Sequence, residues 1–179
     1  MTDANAHAHP VIACLSARFG DGLIETHTHR GDATAVVRPD RYHEVIAFLR
    51  EDTDCAFDFL TDLCGVDRLE LKLKPRFEVI VYLYSSRTNS RFRLKTRPLN
   101  DADPVIDSIV DLFPAANWPE REVYDMFGVR FTGHPNLTRI LMYEEFVGYP
   151  LRKDYPVNKR QPRVPMREIP DDRPGMIFL

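Results

Sequence analysis

Hydrophobic and polar positions alternate with different periods along the chain, and each period predicts a different element. Residues 23–29 and 34–37 are separated by a polar, glycine-containing turn, which predicts two short strands. Behind Asp40, which can cap a helix, apolar residues recur at intervals of three and four, at Tyr42, Val45, Ile46 and Leu49. That spacing predicts an amphipathic helix with one buried stripe.

A period of two then predicts an antiparallel meander of three strands, near residues 69–73, 77–84 and 91–97. The middle strand is apolar on both faces, so we expect it at the centre of the sheet, covered on both sides. The last strand carries a basic row on one face: Arg91, Arg93, Lys95 and Arg97. This row is typical either of an exposed strand that resists edge pairing or of a nucleic-acid-binding face. The face that carries the basic row has no aromatic residues for base stacking, and the chain is acidic overall, which favours the first interpretation.

Three further segments have the marks of helices. Residues 57–65 have an apolar side and end at a glycine suited to a left-handed cap. Residues 103–114 have a proline in the first turn and apolar residues on one side. Residues 117–128 begin with Asn117 and Glu120 at the spacing of a capping box and end at a glycine, so this helix is the most tightly specified.

The composition is that of an ordinary soluble protein with about one domain, since 44% of the 179 residues are hydrophobic and 28% are charged. No apolar run is long enough for a membrane span, and the N-terminus lacks the features of a signal peptide, so we expect the chain to remain in the cytoplasm.

Cys14, Cys55 and Cys64 have no short CxxC spacing. That pattern favours buried free thiols over a disulfide framework or a self-contained metal site.

Residues 150–179 differ from the rest in charge and in proline content. They hold seven Lys or Arg and four Asp or Glu, a surplus of +3 in a chain of net charge −3, so residues 1–149 carry −6. Prolines at positions 150, 156, 162, 165, 170 and 174 exclude regular helix or central strand. We therefore predict a polar leader at residues 1–20, an α+β domain at 21–149 and an extended partner-binding arm at 150–179.

Charged residues concentrate in the helix predicted at residues 117–128. There Arg121 and Asp125 are four residues apart and would meet on one face. Glu120, Glu122 and His134 would be the groups of a free-standing acid–base enzyme. The sequence has no glycine-rich phosphate loop, no GxSxG turn, no HExxH pair and no cysteine with an activating neighbour. This favours a structural, partner-binding role for the segment.

Four motifs in this part of the chain carry a family resemblance. They are Glu-Arg-Glu-Val-Tyr-Asp-Met-Phe-Gly at 120–128, Phe-Thr-Gly-His-Pro at 131–135, Arg-Ile-Leu at 139–141 and Pro-Leu-Arg-Lys-Asp-Tyr-Pro at 150–156. Together they closely resemble the signature of the C-type subunit of NADH-quinone oxidoreductase, which is the 30 kDa subunit family of respiratory complex I. The match is dense from Trp118 to Pro156.

The resemblance implies a single α+β domain, with helices packed on a small, mostly antiparallel sheet, in the peripheral arm of a proton-translocating NADH-quinone oxidoreductase. It implies no catalytic, cofactor or metal site in this chain, with FMN and iron–sulfur clusters on partner subunits. The expected partners are the large D-type subunit that helps to form the quinone pocket, here called the quinone-pocket subunit, and neighbouring iron–sulfur subunits. The complex would hold the chain on the cytoplasmic side of the bacterial inner membrane. The equivalent subunit of a related membrane-bound hydrogenase is the alternative. The candidate partner-binding residues are Glu120, Arg121, Glu122, Asp125, Phe127, Gly133, His134, Pro135, Arg139, Arg152, Lys153 and Asp154.

Overall fold

Three helices and seven strands lie within residues 9–164, the part of the chain that the computed structural model describes. Short 3₁₀ turns join several of them. In chain order the elements are α1 (Pro10–Phe19), β1 (Leu23–His27), β2 (Thr34–Val37), α2 (Tyr42–Glu51), β3 (Phe59–Asp67), β4 (Phe77–Ser85), β5 (Ser90–Thr96), β6 (Val105–Asp107), α3 (Asn117–Phe127) and β7 (Arg130–Thr132).

The main sheet has five strands in the order β1-β2-β5-β4-β3. Neighbouring strands are antiparallel except for β2 and β5, which run parallel. The short strands β6 and β7 form a separate parallel pair. The fold is therefore α+β with a mostly antiparallel sheet, which confirms the predicted class.

Alternate residues of the sheet supply much of the core, since side chains of a strand alternate between its two faces. Val79, Val81 and Leu83 of β4 and Phe92 and Leu94 of β5 belong to one buried cluster, to which all three helices also contribute. The first predicted amphipathic helix is confirmed as α2. All four residues of its predicted stripe are buried: Tyr42, Val45, Ile46 and Leu49.

Helix α1 lies within the segment that was predicted to be a polar leader. Its successive buried residues are one, three and four positions apart, which places them on one helical face. Those residues are Val11, Ile12, Leu15 and Phe19. This helix therefore belongs to the domain, and the predicted start of the domain at residue 21 is too late. Residues 1–8 of the predicted leader lie outside the described residues.

The predicted helix at residues 57–65 is wrong, because this segment forms strand β3 and pairs with β4 along its length. An irregularity between Leu60 and Asp62 shifts the pairing register. As a result Leu60 and Leu63, three residues apart, are both buried in the core. The β-bulge thus buries two residues of a strand at a spacing that is also typical of a helix.

The predicted strand at residues 69–73 is also wrong. Leu69–Leu71 form a 3₁₀ turn between β3 and β4, and Leu71 is 66% exposed. Asp67 accepts a hydrogen bond from the backbone N–H of Leu69, at 3.0 Å, and the N–H of Arg68 donates to the carbonyl of Arg76, at 2.8 Å. These bonds close the hairpin, so the meander consists of β3, β4 and β5.

Residues 103–114 do not form the predicted helix. Strand β6 pairs with β7 instead, and the pairing continues through the N–H groups of Arg130 and Ser108, which donate to the carbonyls of Pro104 and Thr132 at 2.8 Å. Ile106 of β6 is buried, and the buried Ile109 follows in the next loop. Long-range strand pairing outweighs the local helical spacing here.

The positions of β4 and β5 within the sheet differ from the prediction. Strand β4 is largely buried, as expected, but it lies next to the edge strand β3, whereas the basic strand β5 is at the centre. Acidic side chains neutralise most of the basic row: Glu78 pairs with Arg97 at 2.6 Å and with Lys95 at 3.3 Å, and Asp32 pairs with Arg93 at 2.9 Å.

Within residues 9–164 no helix has both the length and the apolar content for crossing a bilayer.

Candidate functional site

The motif residues converge on helix α3 and on the segment that follows β7. We call residues 133–164 the wrapping segment, because they contain no helix or strand and lie against α3 and the loop between β3 and β4. Backbone groups in such a segment lack the partners that a helix or sheet would supply, so they bind side chains, turn carbonyls or water instead. Three buried carboxylates are central to this arrangement. Those of Asp125 and Asp67 accept hydrogen bonds from backbone N–H groups of the wrapping segment, and that of Glu120 fixes α3 to the loop after β6.

Asp125 is fully buried and holds the first part of the wrapping segment. One carboxylate oxygen accepts from Arg139 Nη1 at 2.6 Å. The other accepts from the backbone N–H groups of Ile140, Leu141 and Met142, at 3.1, 2.8 and 2.8 Å. Although burial raises the pKa of Asp125, the hydrogen bonds from these amides and Arg139 outweigh it and lower that pKa below its ordinary value.

Arg121 and Asp125 do not pair along the helix as predicted, because Asp125 is engaged by the wrapping segment. Arg121 reaches the same segment independently. Its guanidinium donates to the carbonyl of Thr138 and to the Thr138 hydroxyl, both at 3.0 Å, and to the carbonyl of Arg139 at 3.2 Å. Two side chains of α3 therefore fix residues 138–142 from adjacent turns.

Glu120 is fully buried and fastens α3 to the loop after β6, so the predicted capping box with Asn117 is wrong. Its carboxylate accepts from the Ser108 hydroxyl at 2.6 Å and from the backbone N–H of Ile109 at 2.8 Å. Burial raises the pKa of Glu120 to about 7, against the two hydrogen bonds, and the nearby negative charge of Asp111 raises it further.

Asp67 joins residues 152–154 to the loop between β3 and β4. Arg76 lies between two carboxylates, with Asp67 at 2.6 Å and Asp154 at 2.7 Å, and the backbone N–H of Lys153 donates to Asp67 at 2.8 Å. Arg152 donates to the carbonyl of Phe127 at 2.6 Å. The start of the predicted arm thus contacts its own domain, while residues 165–179 lie outside the described part of the chain.

Aromatic rings line the inner side of the wrapping segment. The guanidinium of Arg152 lies 4.5 Å from the ring centre of Tyr149 and 5.0 Å from that of Phe77. Arg139 lies 5.4 Å from the ring centre of Tyr149. Two motif arginines therefore lie over one tyrosine, which adds cation–π attraction to the ion pair of Arg139 and to the hydrogen bond of Arg152.

His134 fixes the beginning of the wrapping segment to the N-terminal end of α3. Its Nδ1 accepts from the backbone N–H of Asn136 at 3.0 Å, which leaves Nε2 to donate to the carbonyl of Asn117 at 3.1 Å. Glu120 binds other partners and Glu122 is exposed, so no hydrogen bond joins these two residues and His134 as an acid–base site would need. Gly133, at φ +82°, and the exposed Pro135 form the adjoining turn.

Phe127 anchors the opposite end of α3 against strand β3. Its ring lies over Gly65, where an added Cβ would be 2.8 Å from Phe127 Cδ2 and 3.0 Å from Val123 Cγ1. A side chain at position 65 would separate helix from strand. Most of the predicted partner-binding residues therefore hold α3 in place and shape its surroundings.

The surface that results is an apolar groove, which was not predicted from the sequence. Its volume is about 660 Å³. Trp118 is 69% exposed and Leu141 is 57% exposed, and both line this groove. A large aromatic residue on the polar side of a predicted amphipathic helix was the available signal. The other lining residues are Pro114, Ala115, Asn117, Pro119, Glu122 and Ile140.

Known proteins resemble this chain over most of its length. The C-type subunit of NADH-quinone oxidoreductase from Roseiflexus castenholzii is 44% identical over 151 residues, covering 84% of this chain and 85% of the relative. The corresponding NADH-quinone oxidoreductase protein of Citrifermentans bemidjiense is 43% identical over 152 residues, covering 85% of this chain and 91% of the relative.

A solved structure shares the fold. A chain of the membrane-bound sulfane sulfur reductase, an archaeal respiratory membrane complex, has a TM-score of 0.67 and 25% identity, covering 83% of this chain and 84% of its own length. The family model described as respiratory-chain NADH dehydrogenase, 30 kDa subunit, matches residues 35–161, which include α3 and most of the wrapping segment. The chain therefore belongs to the 30 kDa subunit family of respiratory-chain NADH dehydrogenase.

Proposed function

We propose that this chain is a non-catalytic subunit in the peripheral arm of a proton-translocating NADH-quinone oxidoreductase. Its role would be to support assembly and to fix the relative positions of the subunits that carry electrons from NADH to quinone. FMN and iron–sulfur clusters would reside on those partners. The assembly would place it on the cytoplasmic side of the inner membrane, attached through the other subunits.

One observation carries this proposal: Glu120 and His134, two of the three groups of the alternative acid–base enzyme, are engaged by hydrogen bonds within the chain itself. Asp125 accepts one side-chain and three backbone hydrogen bonds, and Glu120 accepts two hydrogen bonds. Both carboxylates are fully buried, so a substrate could not come within the hydrogen-bond distance that proton transfer requires. What α3 presents outward instead is the apolar groove with Trp118.

We infer that the quinone-pocket subunit binds at this groove. A tryptophan in a rigid apolar setting is the type of residue that dominates binding energy at protein–protein interfaces. Leu141 belongs to the same surface, and its backbone N–H donates to Asp125 at 2.8 Å. A preorganised groove loses little conformational entropy when a partner binds. Lys153 and the exposed residues beyond it would extend the contact.

The test is co-purification of the tagged chain from mildly solubilised membranes, with subunits identified by mass spectrometry and NADH-quinone activity measured. We expect wild type to recover the quinone-pocket subunit together with flavin and iron–sulfur subunits. Recovery of hydrogenase subunits would reassign the chain within the complex I-related enzymes, and recovery of the chain alone would contradict the proposal.

The groove is tested by a matched pair of variants. Leu141→Ala removes a groove side chain, whereas Leu99→Ala makes the same change at a residue that is 79% exposed and does not line the groove. We expect Leu141→Ala and Trp118→Ala to reduce recovery of the quinone-pocket subunit, and Leu99→Ala to leave it unchanged. Equal recovery for Leu141→Ala and Leu99→Ala would exclude the groove as the contact.

A further inference from the structure

Two cysteines that are far apart in sequence meet beside a carboxylate, where the middle of helix α1 approaches the end of α2. Cys14 lies on α1, Asp52 ends α2, and Cys55 lies in the turn that follows. The two sulfurs and one carboxylate oxygen all lie within 4.8 Å of one another. None of these side chains contributes to the groove or to the wrapping segment. Spacing in the sequence could not reveal this cluster, because no CxxC motif is present.

The turn that carries two of these residues is closely fixed. Asp52 Oδ1 accepts from the backbone N–H groups of Asp54 at 2.9 Å and of Cys55 at 3.0 Å. The N–H of Ala56 donates to the carbonyl of Asp52 at 2.8 Å, and the N–H of Phe57 donates to the carbonyl of Leu49 at 2.9 Å. Cys55 and Asp52 are therefore oriented by the backbone before any ligand arrives.

The three residues of the cluster differ in their exposure to solvent. Cys55 is only 3% exposed, whereas Cys14 and Asp52 are half-buried. A ligand would enter from the more exposed side, where Cys14 and Asp52 lie. Cys55 would form the buried side of the site. Solvent access on one side leaves a position for water, so three protein donors would suffice for four-coordination.

We propose that Cys14, Cys55 and Asp52 form a binding site for one thiophilic divalent cation of the Zn²⁺ class. Two thiolates and one carboxylate are a donor set that such ions accept, and hard ions such as Mg²⁺ and Ca²⁺ disfavour sulfur. Tetrahedral Zn²⁺ with bonds of about 2.3 Å to sulfur places two sulfurs roughly 3.8 Å apart. Donors within 4.8 Å reach that geometry by small side-chain rotations.

The consequence would be a link between α1 and the end of α2. Hydrophobic contacts of Val11, Ile12, Leu15 and Phe19 already hold α1 in the core. A cation that binds only the folded chain adds stability in proportion to the logarithm of its concentration above the dissociation constant. The site would thus strengthen the attachment of the first helix.

The probe is Co²⁺, which can replace Zn²⁺ and absorbs in the near ultraviolet when thiolates ligate it. The purified full chain, reduced and kept free of oxygen, is titrated with Co²⁺ alone. We expect a thiolate charge-transfer band that saturates at one equivalent and is removed by Zn²⁺. Absence of this band in wild type, with Co²⁺ in large excess, would overturn the proposal.

Variants assign the band to this cluster. Cys14→Ser and Cys55→Ser should each lose at least half of its intensity, and Asp52→Asn should weaken Co²⁺ binding by about tenfold or more. Cys64→Ser is the matched control, because Cys64 lies on β3 outside the cluster, and it should keep the full band. If Cys55→Ser does not fold, the half-buried Cys14→Ser position still decides the question. A band that survives Cys14→Ser but is lost in Cys64→Ser would refute the assignment.

Discussion

Asp125 of helix α3 and Arg139 of the wrapping segment form an ion pair of 2.6 Å in which the carboxylate is fully buried. The pair is coupled to the backbone, since the second oxygen of Asp125 holds three successive N–H groups of residues 140–142. A segment without helix or strand thereby acquires a defined path over α3. That path places Leu141 beside Trp118 in the groove.

Asp125→Ala should lower the free energy of unfolding by about 3–5 kcal/mol, because it leaves a largely buried arginine and three backbone N–H groups without their acceptor. Urea denaturation followed by circular dichroism measures the change. The control is Asp103→Ala, which removes the partner of Arg130 in a pair whose side chains are 54% and 55% exposed. That variant should lose less than about 1 kcal/mol. If both variants lost the same free energy of unfolding, burial of the ion pair between Asp125 and Arg139 would not contribute to stability.

Glu120 should make the chain less stable as the pH rises. Its pKa is raised from 4.5 to about 7 in the folded chain, so folding favours the protonated form. This contribution is fully present below pH 4.5 and is lost as the pH rises through 7. Glu120→Gln imitates the protonated form at every pH, with its amide oxygen free to accept from Ile109.

The measurement is the free energy of unfolding of wild type and Glu120→Gln at about pH 5 and about pH 8, on either side of the raised pKa. At the higher pH the variant should exceed wild type by up to about 3 kcal/mol, and the difference should shrink at the lower pH. Asp111→Asn, which removes the neighbouring charge, should reduce the pH dependence only slightly. A difference between wild type and Glu120→Gln that is the same at both pH values would contradict the raised pKa.

Gly65→Ala should destabilise the chain by about 1–3 kcal/mol, because the new methyl group would overlap Phe127 and Val123 of α3. Gly20→Ala is the control: an added Cβ there meets nothing within 4 Å, and the backbone is helical. That change should be neutral or slightly stabilising. Thermal unfolding compares the two variants, and a neutral Gly65→Ala would show that α3 can move away from β3 without loss.

Arg121→Ala should reduce assembly while leaving the turnover of each assembled complex unchanged. The variant loses the hydrogen bonds to Thr138 and Arg139, so the backbone on one side of the groove is less well fixed. The amount of complex recovered and its activity per bound flavin are measured separately. Arg87→Ala, in the exposed turn between β4 and β5, serves as the control. Normal recovery with a selective loss of turnover would point to a catalytic role instead.

Local periodicity predicted the parts of the fold whose burial follows one regular face. The spacing of Tyr42 and Leu49 identified α2, and the alternation of Phe92 and Leu94 identified β5. It failed at β3, where the bulge between Leu60 and Asp62 gave a strand the spacing of a helix. It failed again at β6, whose conformation depends on pairing with β7.

The sequence by itself determined the family and the residues that mark it, because the motifs from Glu120 to Pro156 are short, local and close together in the chain. Only the tertiary structure decided the partners of those residues. Asp125 binds Arg139 and not Arg121, Glu120 binds Ser108 and not its own helix end, and Cys14 lies beside Cys55. The physical reason is that a buried polar group takes whichever partner the packing brings within hydrogen-bond distance, and packing depends on contacts between segments remote in sequence.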